Sequence, residues 1–159
     1  MNAGAQAATG EILLFLHADT RLPIQFDTMA CQAIATNIVA GAFALQINDY
    51  FWGLRLVEIG VNMRSRIFFL PYGDQAIFLK AKLFHELGGF ADLPIMEDFE
   101  FICRLRRRGR IAIISAPVVT SSRRWQNLGI IQTTIINQVA IIAYLIGISP
   151  SKIAAWYRR

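Results

Sequence analysis

The amino-acid sequence predicts an α/β domain whose sheet is largely covered by helices. Helical and strand-like stretches alternate along the 159-residue chain, which is the order expected when helices pack on a sheet. Hydrophobic residues make up 55% of the chain and the mean hydropathy is +0.42, which is more apolar than a typical soluble domain. The apolar faces are therefore covered on all sides, or some of them meet a membrane or a partner.

Local hydrophobic patterns place the individual elements. The strand over 11–16 is expected to be buried on both faces, because its apolar run is unbroken rather than alternating. The other strands are predicted over 41–47, 76–80 and 111–115. The predicted helices cover 2–8, 25–38, 50–69, a short stretch that ends at Gly88-Gly89, and 97–108. These helices are closed by glycines or capping residues at most of their ends.

The formal net charge is +5, and most of the positive charges come from arginines that occur in clusters. The clustered positions are Arg104, Arg106, Arg107, Arg108, Arg110, Arg123, Arg124, Arg158 and Arg159. Such clusters suit anionic partners, for example a diphosphate or an anionic lipid. The alternative for the run over 104–110 is a solvated helix face. Nucleic acid is not an expected partner, because the run lacks interleaved aromatic residues and matches no nucleic-acid-binding motif.

The two cysteines and the N-terminal residues favour a cytoplasmic protein. Cys31 and Cys103 stand alone, without the spacing of a metal site, which fits a reducing compartment. The first ten residues lack the basic region and the long apolar core of a signal peptide.

A first candidate site follows the strand over 11–16, where the sequence "FLHADT" changes from apolar to polar. His17 and Asp19 are two residues apart, so an extended chain would point both to the same side. A carboxylate at the end of a strand suits Mg²⁺ or Mn²⁺ together with substrate phosphate oxygens. The alternative is an ordinary polar turn in which Asp19 caps a backbone N–H.

Two further segments carry candidate polar residues. "PIMEDFEF" places Glu97, Asp98 and Glu100 at a helix start, where acids stabilise the helix dipole and where crowded carboxylates also make a candidate general base. "GDQAIF" places Asp74 and Gln75 in a turn, where they could line a site for a polar ligand.

The order and spacing of these segments resemble a known family. The runs "GEILLFLHADTRLP" and "GDQAIFLKAKLFHELGGFADLPIMEDFEFICRLRRRGR" are similar to family 2 glycosyltransferases of the GT-A type, in a bacterial branch with His-Ala-Asp instead of Asp-X-Asp. The resemblance implies a Rossmann-like GT-A domain over 1–125 with a mixed, mostly parallel sheet, and a helical tail over 126–159. It also implies inverting transfer of a sugar from a nucleotide-diphospho-sugar donor to an acceptor hydroxyl, assisted by Mg²⁺ or Mn²⁺.

The same resemblance assigns roles to individual residues. Asp19 is the expected ligand of the divalent ion, and His17, which replaces the usual first acid, is the second candidate ligand. Asp98 is the expected general base, with Glu97 beside it. The resemblance adds Gly89 of the acceptor-side "GGF" segment, Arg124 and Trp125 as candidates for substrate binding, beside Asp74 and Gln75 of the turn described above.

One part of the family pattern is missing from this sequence. Family members begin with a nucleotide-recognition half that carries an Asn-Glu pair and an Asp-X-X-Ser-X-Asp stretch, and neither occurs before residue 10. We therefore expect an N-terminally truncated glycosyltransferase with impaired activity. The alternative is a catalytically inactive fragment that binds an acceptor or docks on a membrane surface.

The tail predicts an amphipathic helix. Residues 129–148 carry no charge and are long enough to cross a bilayer. Several polar residues fall close to one side at helical spacing, namely Gln132, Thr133, Thr134, Asn137 and Gln138. This pattern favours a helix packed on the domain or lying at a membrane surface. Ser149-Pro150 then starts a short helix with Trp156, Tyr157 and two arginines, a composition suited to peripheral contact with the inner face of a membrane.

Overall fold

Strands and helices alternate in the computed structural model, which describes residues 1–157 and has a five-stranded mixed sheet in that range. The strands are β1 (Ile12–Phe15), β2 (Thr20–Arg21), β3 (Ala40–Asn48), β4 (Ile77–Lys80) and β5 (Ile111–Ser121). The helices are α1 (Asn2–Ala7), α2 (Phe26–Ala35), α3 (Trp52–Phe68), α4 (Ala81–Glu86), α5 (Glu97–Arg106), α6 (Arg123–Leu128), α7 (Ile130–Leu145) and α8 (Pro150–Tyr157). The α/β class predicted from the sequence is confirmed.

The predicted direction of the strands is wrong, because the sheet is mostly antiparallel. The strand order is β1-β4-β3-β5-β2. Strands β1 and β4, β3 and β4, and β2 and β5 pair antiparallel. Only the long pairing of β3 with β5 is parallel among the residues described.

Helix α3 explains why β4 runs against β3. The helix returns along the C-terminal half of β3, and its polar side chains take the place of a neighbouring strand there. Asn62 accepts from the N–H of Leu45 at 2.8 Å and donates to its C=O at 2.9 Å, and the Glu58 carboxylate accepts from the N–H of Ile47. β4 then continues in the direction of α3 and pairs with the first residues of β3. A parallel neighbour would need a crossover that reverses the chain once more.

Two strands differ from their predicted form. β1 is paired on one side only within residues 1–157, and Leu13 is its single buried residue, so the expected burial on both faces is wrong. β5 does not stop at Ser115 but runs on to Ser121 after a bulge next to Pro117. Proline is tolerated at a bulge because no ladder hydrogen bond is needed there.

The core lies on both faces of the sheet. On one face, side chains of β3 and β4 such as Ala42 and Leu79 pack against Phe84 of α4 and Phe101 of α5. On the other face, the core is formed with α2 and α3 and includes Phe43, Phe78 and Leu54. This alternation along β3 and β4 follows from the two-residue period of a strand.

Both tail helices pack on the domain. Thr133, Ala140 and Ala143 of α7 are buried, and Ala140 and Ala143 form a cluster with Ile153 of α8 and Phe99 of α5. Another side of α7, with Ile131, Ile135, Val139 and Ile142, is exposed to solvent. No helix in the described part of the chain is long and apolar enough to cross a membrane.

Candidate active site

One cavity of about 410 Å³ collects most of the residues that the sequence singled out. It opens where the end of β1, the turn before β4, the start of α5 and the segment after β5 meet. The predicted site residues that line it are His17, Asp19, Asp74, Glu97, Asp98, Arg124 and Trp125. Residues that are far apart in sequence therefore share one polar pocket.

Antiparallel pairing brings the end of β1 beside the turn that precedes β4. Phe15, the last residue of β1, faces Ile77, the first residue of β4, so the segments beyond these two residues are neighbours. The Nε2 atom of His17 lies only 2.7 Å from where a Cβ on Gly73 would be. His17 and Asp19 lie in a turn closed by the Thr20 N–H and the His17 C=O at 3.1 Å, not in the extended chain that we expected.

The two-residue strand β2 fixes Asp19 against the end of β5. Thr20 pairs with Thr120, and their hydroxyls are joined by a hydrogen bond of 3.1 Å that is buried. The N–H of Ser121 also donates to the Asp19 carbonyl at 3.2 Å. The Asp19 carboxylate itself is 43% exposed and lies 3.7 Å from the Arg123 guanidinium, which is a weak surface ion pair. Asp19 is therefore free to bind a ligand at the mouth of the cavity.

Backbone hydrogen bonds orient Asp98 at the start of α5. Its Oδ2 accepts from the Gly73 N–H at 2.7 Å, and its Oδ1 accepts from the Phe99 N–H at 2.7 Å. Gly73 permits this close approach, since an added Cβ would lie 3.1 Å from Oδ2. The side chains of His17 and Asp98 thus both lie next to Gly73.

Asp74 is the most perturbed carboxyl group of the cavity. Burial raises its pKa from 3.8 to about 6, Arg64 opposes this rise, and the neighbouring Asp98 adds to it. Its Oδ1 is enclosed and has no hydrogen-bond partner. A buried carboxylate oxygen without a partner is costly unless a ligand or a proton occupies it, so Asp74 is poised to interact with a bound group.

The three acids of "MEDFE" separate into two roles. Glu97 and Asp98 line the cavity. Glu100 does not, because it forms a salt bridge of 2.7 Å with Arg104. Arg104 also donates to the carbonyls of Leu87 at 2.6 Å and Gly89 at 2.7 Å, so it ties α5 to the loop after α4.

Two of the predicted substrate-binding residues lie outside the cavity lining. Gln75 is fully buried: its amide donates to the Phe43 carbonyl at 2.9 Å, and its Oε1 accepts from the Ser65 hydroxyl at 2.7 Å. Gly89 is buried against Phe84 and Asn2. Both residues hold the framework around the site, and neither reaches the pocket in this structure.

The tail supplies walls of the cavity that the sequence patterns did not reveal. Arg124 lies over the ring of Tyr157 at 4.4 Å, and the Tyr157 hydroxyl donates to Asn137 at 2.9 Å. Tyr72, from the turn before β4, also lines the cavity, and the Arg64 guanidinium stacks on its ring at 3.4 Å. No motif marks these residues, and the only signal was the Arg-Trp pair at 124–125 that directly precedes the tail.

The donor set of the cavity fits a hard divalent ion that takes most of its ligands from a substrate. Residues 1–157 contain no group of three His, Cys, Asp or Glu side chains placed to hold an ion by themselves. Mg²⁺ characteristically needs only one or two protein carboxylates when phosphate oxygens and waters complete its shell. Asp19 offers such a carboxylate, and the Oδ1 atom of Asp74 is enclosed without a hydrogen-bond partner.

No protein-family model, no curated protein and no solved structure matches this chain.

Proposed function

We propose that the cavity transfers a sugar from a nucleotide-diphospho-sugar donor to an acceptor hydroxyl with inversion, as a GT-A domain of the family 2 type that the sequence resembles. One observation carries the proposal: acidic side chains from three separate segments, Asp19, Asp74 and Asp98, line one pocket together with His17 and Arg124. This combination suits a reaction that needs a base for the acceptor and positive charge for a leaving diphosphate.

The charge of the pocket supports a metal-dependent reaction. A diphosphate that entered the pocket alone would face the carboxylates of Asp19, Asp74, Glu97 and Asp98, which would repel it. A Mg²⁺ or Mn²⁺ ion held by Asp19, with His17 as a second candidate ligand, would supply the charge that stabilises the departing diphosphate. Arg124, which also lines the pocket, adds a fixed positive charge.

Asp98 is the best candidate for the general base. Its two backbone hydrogen bonds hold the carboxylate in one orientation at the cavity wall, and a base must be fixed within hydrogen-bond reach of the hydroxyl. Asp98 would take the acceptor proton while the acceptor oxygen forms a bond to the anomeric carbon. The bond from that carbon to the phosphate oxygen breaks in the same displacement. Asp74 and Glu97 would hydrogen-bond the hydroxyls of the sugars.

The proposal is tested by donor turnover. The purified chain is incubated with Mn²⁺ and a panel of uridine, guanosine and thymidine diphosphate sugars, and the release of nucleoside diphosphate is measured. We expect Asp98→Asn to bind the donor as the native chain does and to lower turnover at least a hundredfold, which is the scale of general-base catalysis. Asp92→Asn, at an exposed acid outside the cavity, should have no effect. Equal turnover by Asp98→Asn and the native chain would contradict the role of Asp98.

A further inference from the structure

A second cavity of about 1090 Å³ lies between α3 and the segment formed by α6 and α7. We call it the apolar groove. Its lining is mostly aliphatic and aromatic, and includes Phe51, Trp52, Leu56, Leu128, Ile131 and Ile135. The groove is more than twice the volume of the polar cavity, and it is wide enough to hold a chain of many methylene groups.

Exposed apolar stripes border the groove on both sides. On α3 the stripe consists of Leu56, Ile59, Met63 and Ile67, which are 55% to 61% exposed. On α7 it consists of Ile131, Ile135, Val139 and Ile142, which are 46% to 76% exposed. Each stripe follows the three- and four-residue spacing of one helix face. Contiguous apolar surface of this kind marks a site of interaction with a membrane or a partner.

The apolar groove and the polar cavity share a wall. Trp125 lines both of them. Arg64 lines the groove, and its guanidinium stacks on Tyr72, which lines the polar cavity. A molecule with an apolar chain in the groove would therefore bring its polar end to the reaction site.

Polar atoms without partners occur in the wall of the otherwise apolar groove. They are Nη2 of Arg64, Nε1 of Trp125 and Oγ1 of Thr134. Hydrogen-bonding groups that lack partners in an enclosed position favour a ligand that can pair with them after a small side-chain movement. A pure hydrocarbon cannot do this, whereas an amphiphile with an oxygen-rich head can.

We propose that the acceptor is a membrane lipid with a hydroxyl-bearing head group, whose hydrocarbon chain occupies the apolar groove. This inference rests on the proposed function, because it names the acceptor of the same site. The two apolar stripes would lie against the bilayer while the head group reaches past Trp125 to Asp98. A net charge of +5 and the exposed Arg66, which lies in the last turn of α3 beside Ile67 of the apolar stripe, favour an anionic bilayer. A second copy of the chain would cover the stripes, but it would not account for Trp125 lining both the groove and the polar cavity.

Vesicle binding tests this inference without donor or metal, so that its result is independent of sugar transfer. The probe is a vesicle of phosphatidylcholine and phosphatidylglycerol with bromine atoms on the acyl chains, which quench tryptophan fluorescence on contact. The protein carries Trp52→Phe and Trp156→Phe, which leaves Trp125 as the sole tryptophan of the three in the chain. We expect the protein to float with the vesicles and the Trp125 fluorescence to be quenched.

Variants at exposed positions keep the test free of folding effects. We expect Ile131→Asp together with Ile135→Asp to weaken vesicle binding at least tenfold. Ile24→Asp, at an isoleucine that is 90% exposed and lines neither cavity, should bind as the native chain does.

Three results would overturn the inference. The first is the absence of flotation, and the second is flotation without quenching of Trp125. The third is a dimer in light scattering that Ile131→Asp converts to monomers, in a chain that does not bind vesicles. If the chain binds vesicles but Mn²⁺-dependent donor binding fails, the proposed function fails and the groove still binds lipid.

Discussion

The unusual pKa of Asp74 gives a prediction about stability that does not depend on any ligand. Burial raises this pKa from 3.8 to about 6, so the folded chain holds the Asp74 proton more tightly than the unfolded chain does. Well below pH 3.8 the carboxyl is protonated in both states and contributes nothing. Between pH 4 and pH 6 the unfolded state releases its proton first, and the free energy of unfolding falls as the pH rises. Above pH 6 the full cost of the buried charge remains.

The size of this cost follows from the shift in pKa. One pKa unit corresponds to about 1.4 kcal/mol, so a shift of roughly two units corresponds to about 3 kcal/mol. Asn has the shape of Asp without the charge. Asp74→Asn should therefore raise the free energy of unfolding by about 3 kcal/mol at pH 7.5 and leave it nearly unchanged at pH 4.

Urea denaturation followed by circular dichroism at pH 4, 5, 6 and 7.5 measures this difference directly. Comparison with Asp92→Asn, at an exposed acid, controls for the loss of a carboxylate as such. If Asp74→Asn raises the free energy of unfolding by the same amount at every pH, the gain does not come from titration of this group, and the prediction is wrong. A loss of stability at pH 7.5 would refute it as well.

Other predictions follow from the contacts around the cavity. Gln75→Leu should lower the free energy of unfolding by about 2–4 kcal/mol, because it leaves buried backbone and hydroxyl partners unpaired; a loss below 1 kcal/mol in urea denaturation would contradict this. Arg104→Ala should cost about 2–3 kcal/mol by releasing two loop carbonyls and a carboxylate, whereas the exposed Arg106→Ala should cost little; equal losses would show that the bridge is not structural. Gly73→Ala should displace His17 and weaken Mn²⁺-dependent donor binding about tenfold while the chain stays folded, and unchanged binding in calorimetry would exclude His17 from the site.

The sequence contains the elements of the fold but not the way in which they are assembled. Runs of apolar residues, together with glycines at the ends of helices, predicted the main strands and helices to within a few residues, because these signals are local. β4 runs antiparallel to β3 after α3 has returned along β3, where Asn62 and Glu58 bond the β3 backbone, and no local pattern encodes these long-range contacts. The strand β2 is equally invisible, since its two residues form a strand only because they pair with β5.

The candidate site was likewise predicted only in part from the sequence. His17, Asp19 and Asp98 line the cavity, and the sequence pointed to them through the order and spacing of their segments, because each local pattern is also typical of a polar turn or a helix cap. Gln75 was assigned to the ligand because a polar residue in a turn is usually exposed, but its side chain turns inward to bond the backbone of β3. The walls formed by Asn137 and Tyr157 come from the tail, and helical periodicity alone does not tell on which surface a helix packs.

Helix α7 is the clearest case in which pattern and packing differ. Its polar residues at helical spacing predicted an amphipathic helix, packed on the domain or lying at a membrane surface. In the structure Thr133, Ala140 and Ala143 pack on the domain, whereas Gln132 and Gln138 are exposed together with Ile131, Ile135 and Ile142. A helix that is buried through Thr133 and Ala140 leaves Ile131 and Ile135 exposed and able to contact a membrane or a partner.

The most direct test of the account is calorimetric titration of nucleotide-diphospho-sugars with Mn²⁺ and with a chelator. We expect at least one donor to bind in the presence of Mn²⁺ only. Asp19→Ala should weaken this binding at least tenfold, and Asp27→Ala, at an exposed acid outside the cavity, should not change it. If no donor binds, or if Asp19→Ala binds as tightly as the native chain, the cavity is not a sugar-nucleotide site.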